Sequence, residues 1–356
     1  MSTNVTRLQN EMKNRKIPAI LVSDIVNVQW LTGFSGSSGY ALVTQDSGAF
    51  ITDSRYTIQA QVEVSDLEVR WYSSATSLEE FLLEVAQGLK ISDLKFEDSI
   101  SYAISKKWQE SFKGISMSPA DDILKSLRMI KTPDEVARIK RACELADQCL
   151  QHVTRMLQPG VSEFDIDLDI EFFFRRNGAT ASFSPIVASG PNSAKPHAHA
   201  TERKLEKGDF VTLDLGAKLD GYCSDITRTF VIGEASDRHR EIYDQVLAAQ
   251  EASIHAIKPG TPCKDVDAVA RQVLAQRDLA QYFGHGLGHG LGRAVHDPGS
   301  LSLRSADTVA AGQVWTVEPG VYIDGFGGVR IEDDVFVTEQ GPEILTSFPK
   351  GLTVLS

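Results

Sequence analysis

The chain contains no run of about 18 apolar residues, the length a membrane-spanning helix requires, so no membrane partner is expected. It has no basic excess: 36 Lys and Arg stand against 48 Asp and Glu, a formal net charge of −12. Binding to a phosphate backbone needs a basic face, which argues against nucleic acid as a partner. Cysteine is scarce. Cys143, Cys149, Cys223 and Cys263 form no CxxC pair and no spacing that reads as a disulfide framework. The N-terminal MSTNVTRLQNEMKNRK lacks the apolar stretch of a secretory signal. Together these features predict a reducing, cytoplasmic setting. There is no repeat at a solenoid period and no low-complexity tract. Residues 1–151 contain no histidine at all, so any imidazole chemistry belongs to the second part of the chain.

At 356 residues the chain exceeds what one core usually organises, and two domains are expected, 1–125 and 126–356. The first part alternates helix and strand patterns. Helices are predicted over 5–16, 77–89 and 103–112, and strands over 19–22, 40–44, 49–52 and 94–96. This is an α/β layer pattern. Its glycine-rich piece, GFSGSSGY (Gly33 to Tyr40), lacks the lysine of a phosphate loop and does not fit GxGxxG, so it reads as a turn. Asp53 to Tyr56 reads as a helix start with a salt-bridged surface. A linking helix is expected from Asp121 to Met129. Thr132-Pro133-Asp134-Glu135 is a capping box with proline at the first helical position, and an apolar stripe follows it to Leu157. Cys143 and Cys149 fall on that stripe and read as small core residues. Ser162 caps a further helix to about Arg176. From Pro185 onward the pattern is mainly β, with helices near 237–257 and 263–277, so the second part is α+β.

The stretch VTLDLGAKLDGYCSDITRTF (Val211 to Phe230) reads as a hairpin turned at Asp220-Gly221. It can bring Asp214 beside Asp225, which shares a strand face with Thr227 and Thr229, while Ile226, Arg228 and Phe230 share the other. Two adjacent carboxylates repel unless a proton or cation lies between them. Other pieces set polar groups on an apolar background. QVWTVEPG (Gln313 to Gly320) reads as a strand ending at Glu318. GVRIEDDV (Gly328 to Val335) reads as one strand with Arg330, Glu332 and Asp334 on one face. Between the hairpin and these strands, GHGLGHGLGRAVHDP carries His285, His289 and His296 among glycines. Any one of these acids, taken alone, is an ordinary surface or salt-bridged residue. Four carboxylates with at least one imidazole form a hard, oxygen-rich ligand set. A single zinc site usually has more nitrogen or sulfur, and the DxDxDG spacing of a calcium loop is absent. Two divalent ions sharing carboxylates fit best, Mn²⁺ first, with Co²⁺ or Zn²⁺ the alternatives.

These motifs, in this order, resemble the pita-bread metallopeptidases, the group that includes methionine aminopeptidase, aminopeptidase P, prolidase and the metal-free creatinase. The matching pieces are LDLGAKLDGYCSDITRTF, FGHGLGHGLGRAVHDP, TVEPGVYI and GGVRIEDD, with IVASGPNSAKPHAHA upstream. LTGFSGSSGYALV and FITDSRYTIQA resemble the creatinase-like N-terminal domain of the Xaa-Pro branch. The resemblance implies an α/β creatinase-like domain followed by an α+β pita-bread catalytic domain. It implies metal ligands at Asp214, Asp225, His289, Glu318 and Glu332, with Asp225 and Glu332 bridging both ions. His197, His285 and His296 match the group's non-ligand histidines, and Arg330 and Tyr322 match its arginine and tyrosine beside the metal carboxylates. His199 has no counterpart and reads as a bystander. One departure stands out: the usual His-Glu with a proline two residues beyond the Glu is here His296-Asp297-Pro298, which leaves open the role of that position and the shape of the pocket beside it.

The resemblance further implies an exopeptidase that frees the residue before proline, through attack by a hydroxide held between the ions. Glu318 would act as general base and acid, and His296 and His197 would steady the developing oxyanion. A proline-containing peptide is the implied substrate. A homodimer is the implied assembly, because N-terminal domains of this branch help close the neighbour's active site. Xaa-Pro dipeptides and longer Xaa-Pro peptides remain alternative substrates. A metal-free creatinase-like C–N hydrolase and a non-catalytic binding protein are the rival readings. All five ligand positions are retained, which argues against both.

Overall fold

Short apolar runs bounded by turn residues become the strands of the first unit, and the computed structural model describes residues 3–120 and 122–356. The chain divides into two units, one ending at Arg128 and the other beginning at Met129. In the first, six strands form one mixed sheet in the order Glu68–Tyr72, Gly48–Asp53, Tyr40–Thr44, Ala19–Val22, Asp93–Glu97, Ser116–Ala120. Ala19–Val22 lies inside the sheet and is buried along its whole length, as its unbroken apolar run requires. Helix Leu78–Gly88 begins at a capping box formed by Ser77 and Glu80. Arg55 pairs with Asp53 at 2.8 Å ahead of helix Thr57–Glu63.

Three elements of this unit escape the periodicity argument. Helix Ile25–Thr32 is apolar on nearly every side and shows no stripe. Its start is set by Asp24, whose carboxylate accepts from the Val26 and Asn27 amides. Strand Glu68–Tyr72 has no buried residue, and strand Ser116–Ala120 contains Pro119; both are sheet edges, where a missing or solvated N–H is tolerated. The expected linking helix is Ile123–Met129. The Asp121 end of that expectation lies outside the described residues.

In the second unit, the capping box of Thr132 and Glu135, with Pro133 behind it, starts helix Pro133–Val153. The expected stripe to Leu157 is cut short. The Thr154 hydroxyl donates to the Leu150 carbonyl at 2.6 Å, and the chain tightens into a 3-10 turn, Thr154–Met156. Helices Glu163–Arg176, Asp237–Ala256 and Cys263–Ala275 follow. One sheet runs Thr353–Leu355, Ile226–Ile232, Phe210–Leu215, Ile186–Ser189. Another runs Asp297–Leu301, Gly288–Gly290, Val314–Val317, Asp333–Thr338, Gly341–Ile344. Pro133–Val153 and Glu163–Arg176 bury Cys149, Leu150, Ile166, Ile170 and Phe174 against the first sheet. The Asp237–Ala256 and Cys263–Ala275 helices pack around Trp315, Val317 and Val335 of the second. No helix among the described residues is long and apolar enough to cross a membrane.

Two ribbons position everything that follows. In the first, Asp214 faces Thr227 and Leu215 faces Ile226; beyond a gap, Lys218 faces Cys223 and Leu219 faces Tyr222 in the same register. Asp220 and Gly221 both take positive φ, 49° and 79°, as a two-residue primed turn demands. In the second, Thr316 faces Asp334 and Val317 faces Asp333; beyond a gap, Gly320 faces Arg330. This corrects two single-strand readings. Gln313 to Gly320 contains strand Val314–Val317, with Glu318 just past its end. Gly328 to Val335 is two strands, Gly327–Arg330 and Asp333–Thr338, with Glu332 in the break. Proline at 319 leaves its peptide no N–H for the ladder, which ends there.

Arg228 holds the ribbons together from behind. Only 1% exposed, it donates to the carbonyls of Thr227, Glu332 and Phe348 and to Asp333 Oδ1 at 2.8 Å. Burial alone would raise the Asp333 carboxyl, but Arg228 and Lys350 outweigh it and hold it below the usual range. Replacing Arg228 by Leu leaves that buried acid with Lys350 as its cation and only the neutral donors Gln250 and Thr346 beside it among the described residues. We expect a loss of about 3–5 kcal/mol in the unfolding of this unit, read by denaturant titration. An unchanged midpoint would show that the clamp contributes nothing.

Candidate metal centre

Each break in a ribbon turns a carboxylate inward. Asp225 lies in the first gap, and its amide, released from the ladder, donates to Asp334 Oδ2 at 2.9 Å. The Glu318 and Glu332 amides bond instead to the carbonyls of Leu287 and Thr227, at 2.8 and 3.1 Å. Backbone donors freed by the breaks thus stitch separate strands into one wall. Asp214 projects from strand Phe210–Leu215 toward the same point. Asp214, Asp225 and Glu332 each offer an oxygen within 4.8 Å of the others. Among the described residues, Asp214 Oδ1, Asp225 Oδ1 and Glu332 Oε1 are buried and without a hydrogen-bond partner. The opposite oxygens are held: Arg330 donates to Asp214 Oδ2 at 2.5 Å, and Thr227 to Glu332 Oε2 at 2.6 Å.

His289 extends the cluster. Glycines on both sides let its strand pass between two neighbours, since a Cβ at Gly288 or Gly290 would run into the carbonyl of Thr316 or Pro298. Its Nδ1 faces the Gly290 carbonyl at 3.0 Å, so the proton sits there and the Nε2 lone pair is free. Nε2 stands 3.6 Å from both Asp225 Oδ2 and Glu318 Oε1. Burial pushes this imidazole down to about 4, so at neutral pH it is a neutral donor rather than an ion-pair partner.

The acids respond in the opposite direction. Burial, then the neighbouring carboxylates Glu332 and Asp214, raise Asp225 well above the carboxylate range. Burial, then Glu318 and Asp214, do the same for Glu332. Burial pushes Glu318 up to about 8. Four crowded acids with three bare inward oxygens and one imidazole lone pair are the donor set of hard divalent cations. The residues present therefore fit a metal site.

A cavity of about 480 Å³ opens onto the cluster and is lined by all five of these residues. His197, His285, His296, Tyr322 and Arg330 line it too, so every ligand and every non-ligand site group that the resemblance implies reaches it. Arg330 also donates to the Tyr322 hydroxyl at 2.8 Å, and that hydroxyl meets His285 Nε2 at 3.0 Å. His285 Nδ1 carries the proton toward the Gly286 carbonyl, and burial pushes its pKa down to about 4. His285 therefore accepts from Tyr322. The His296 ring lies 4.3 Å from that of His289.

Three sequence readings change. His199, read as a bystander, lines the cavity with His197. Asp334, placed on the Glu332 face, lies behind the site, where it accepts from the Asp225 amide and the Cys143 thiol, at 2.9 and 3.2 Å. Asp297 and Pro298 do not line the cavity. Asp297 is buried 3.3 Å from Lys131, so the departure from His-Glu is absorbed outside the pocket. Thr227 and Thr316 were missed as supports. Thr316 accepts from the His289 amide and donates to Glu318. Alternation along their strands was the available signal.

Comparison with known proteins is consistent along the whole chain. The profile of metallopeptidase family M24 matches residues 137–339, and that of the creatinase/prolidase N-terminal domain matches residues 5–130. The chain is 34% identical to an Xaa-Pro dipeptidase of Pyrococcus furiosus, over 99% of this chain and 100% of that one. It superposes on the structure of an Xaa-Pro dipeptidase from Bacillus anthracis with a TM-score of 0.94, 39% identity and 99% coverage of each chain. An X-Pro aminopeptidase from Thermotoga maritima gives a TM-score of 0.92, 35% identity and 99% coverage of each chain. The second unit has the pita-bread fold of these neighbours, and the first their creatinase-type N-terminal fold.

Raised carboxyl pKa values fix the sign of a pH effect. Protonation of Asp225, Glu318 and Glu332 stabilises the metal-free protein fully below their unfolded values, near 4.5 for Glu, and that contribution is lost as pH rises through about 8 for Glu318. The Tm of chelated protein should therefore fall across that window. The Tm increment from added Mn²⁺ should grow across it, because the cation needs the ionised acids. A metal increment independent of pH would contradict this account.

Proposed function

The chain belongs to metallopeptidase family M24, and from that premise we propose that it is an exopeptidase cleaving the bond between an N-terminal residue and proline. The observation that carries the reading is the cluster of Asp214, Asp225 and Glu332, which each offer an oxygen within 4.8 Å of the others and each keep a buried oxygen without a hydrogen-bond partner. The relatives' names supply the substrate class. Asp214, Asp225, His289, Glu318 and Glu332 would hold two divalent ions. When bound, these supply a water activated at neutral pH and a Lewis acid for the scissile carbonyl.

The protein's own groups do the rest. Glu318, at about 8 without metal and lowered by cations, takes the proton of the attacking water at its carboxylate and returns it to the proline nitrogen as the C–N bond breaks and that nitrogen leaves as a secondary amine. His296 and His197, on the cavity wall, donate hydrogen bonds to the carbonyl oxygen as it gains charge. His285, neutral and engaged by Tyr322, fixes the Tyr322–Arg330 pair, and Arg330 in turn fixes Asp214. Mn²⁺ is the ion we favour, since four of five donors are carboxylates, with Co²⁺ and Zn²⁺ as alternatives. A homodimer and a cytoplasmic location complete the reading, the latter supported by four buried free cysteines. The crowding of acids that need a cation speaks against a metal-free or purely binding role.

Two measurements test this. Hydrolysis of Xaa-Pro and Xaa-Pro-Yaa peptides, compared with Mn²⁺, Co²⁺ and Zn²⁺, should give proline-dependent, metal-dependent release of the first residue. Cleavage of the dipeptide alone would mark a dipeptidase, and no cleavage of either with any ion would refute the proposal. Asp225→Asn and Glu332→Gln should each lower kcat/KM more than about 100-fold, beyond the range typical of outer-shell changes, together with metal content measured by elemental analysis.

A further inference from the structure

The segment carrying His197 and His199 is held by a buried acid outside the metal cluster. Glu163 is the first residue of helix Glu163–Arg176 and is fully buried. Its Oε1 accepts from the Ser189 amide at 2.6 Å and from the Ser189 hydroxyl at 2.7 Å. Its Oε2 accepts from the Thr201 amide at 3.0 Å, the Thr201 hydroxyl at 2.7 Å and Asn192 Nδ2 at 2.9 Å. Ser189 ends the strand Ile186–Ser189 and Thr201 follows the histidines, so one carboxylate ties both ends of the 190–200 segment. Asn192 carries the tie inward by also donating to the His199 carbonyl at 3.2 Å. The segment then crosses the site: Ser193 accepts from the Gly328 amide, and Arg330 donates to the Pro196 carbonyl. His197 and His199, two residues apart with buried Ala198 between them, both face the cavity.

We propose that Glu163 is a positioning residue: its carboxylate clamps both ends of the 190–200 segment and so sets His197 and His199 over the cavity for substrate. All five groups it meets are donors, and both oxygens are used only as acceptors. This makes Gln a sharp probe. Whichever way the amide is turned, its NH₂ confronts donors at either Ser189 or Thr201, so one end of the segment is released while the side chain's volume is kept. None of the five cluster residues lies on this segment, so the metal site should survive the change.

The catalytic part of this inference rests on the peptidase reading; the clamp itself does not. Glu163→Gln should keep its metal content and speed amide exchange at Ser189 or Thr201 and across the segment. It should lower kcat/KM on the order of 10-fold, within the coupling expected of connected residues. Added to His197→Ala it should cost well under the factor it costs in the wild-type protein, because much of its effect runs through the imidazole already lost. Ser162→Ala is the control: it removes the helix cap to Asp165, lowering Tm through the same helix end, yet should leave kcat/KM unchanged. Unaltered exchange in Glu163→Gln, multiplicative losses in the double variant, or an equal kinetic loss in Ser162→Ala would overturn the proposal. Should the wild-type protein cleave no Xaa-Pro peptide, the functional reading fails, and the exchange measurement alone still decides whether Glu163 is the clamp.

Discussion

Mutual repulsion among buried acids is the constraint on which the second unit depends. Asp214, Asp225, Glu318 and Glu332 are gathered on the wall of one cavity, and Asp214, Asp225 and Glu332 each keep a buried oxygen without a donor. Without a cation the acids relieve this only by staying protonated, and that relief ends as pH rises past about 8 at Glu318, because the neighbouring imidazole is neutral. The surroundings must hold the cluster closed against its own charge. Arg228 does so from one side by gripping the backbone of Thr227 and Glu332, and Thr227 does so from the other through Glu332 Oε2. Stability and function pull against each other here, and the cation reconciles them.

The backbone contributes as much as the side chains. Both ribbons keep their register across a gap, and each gap frees amides that would otherwise be spent within the ladder. Those amides bond across to the other elements, so the interruptions that present the carboxylates also join the walls. The carboxyl-bearing positions are therefore rigid without being regular, a combination that a continuous strand cannot offer.

Much of this was legible in the chain. Alternation placed Asp225 and Thr227 on one face, Asp220-Gly221 announced the turn, and the capping box at Thr132 marked a long helix. Local signals failed where tertiary pairing decides. Glu332 and Asp334 looked equivalent on one strand, but the break at Ile331–Glu332 sends one into the cavity and leaves the other behind it. His199 looked incidental because nothing in its own neighbourhood reveals that Glu163, more than thirty residues earlier, holds its segment. Helix Ile25–Thr32 hid because a segment buried nearly all round shows no period.

The distance in sequence between the two ribbons has a kinetic meaning. Asp214 and Glu332 are more than 100 residues apart, and the sheet bearing Asp214 is completed only when Thr353–Leu355 pairs beside Phe230. A partly folded chain can form the first ribbon, yet it offers a cation two carboxylates and nothing more. Tight capture thus waits until distant strands have closed on one another. A retained ion is in this sense a certificate of completed folding: intermediates that have collapsed without docking the second ribbon leave their metal to exchange freely, and only the finished topology keeps it.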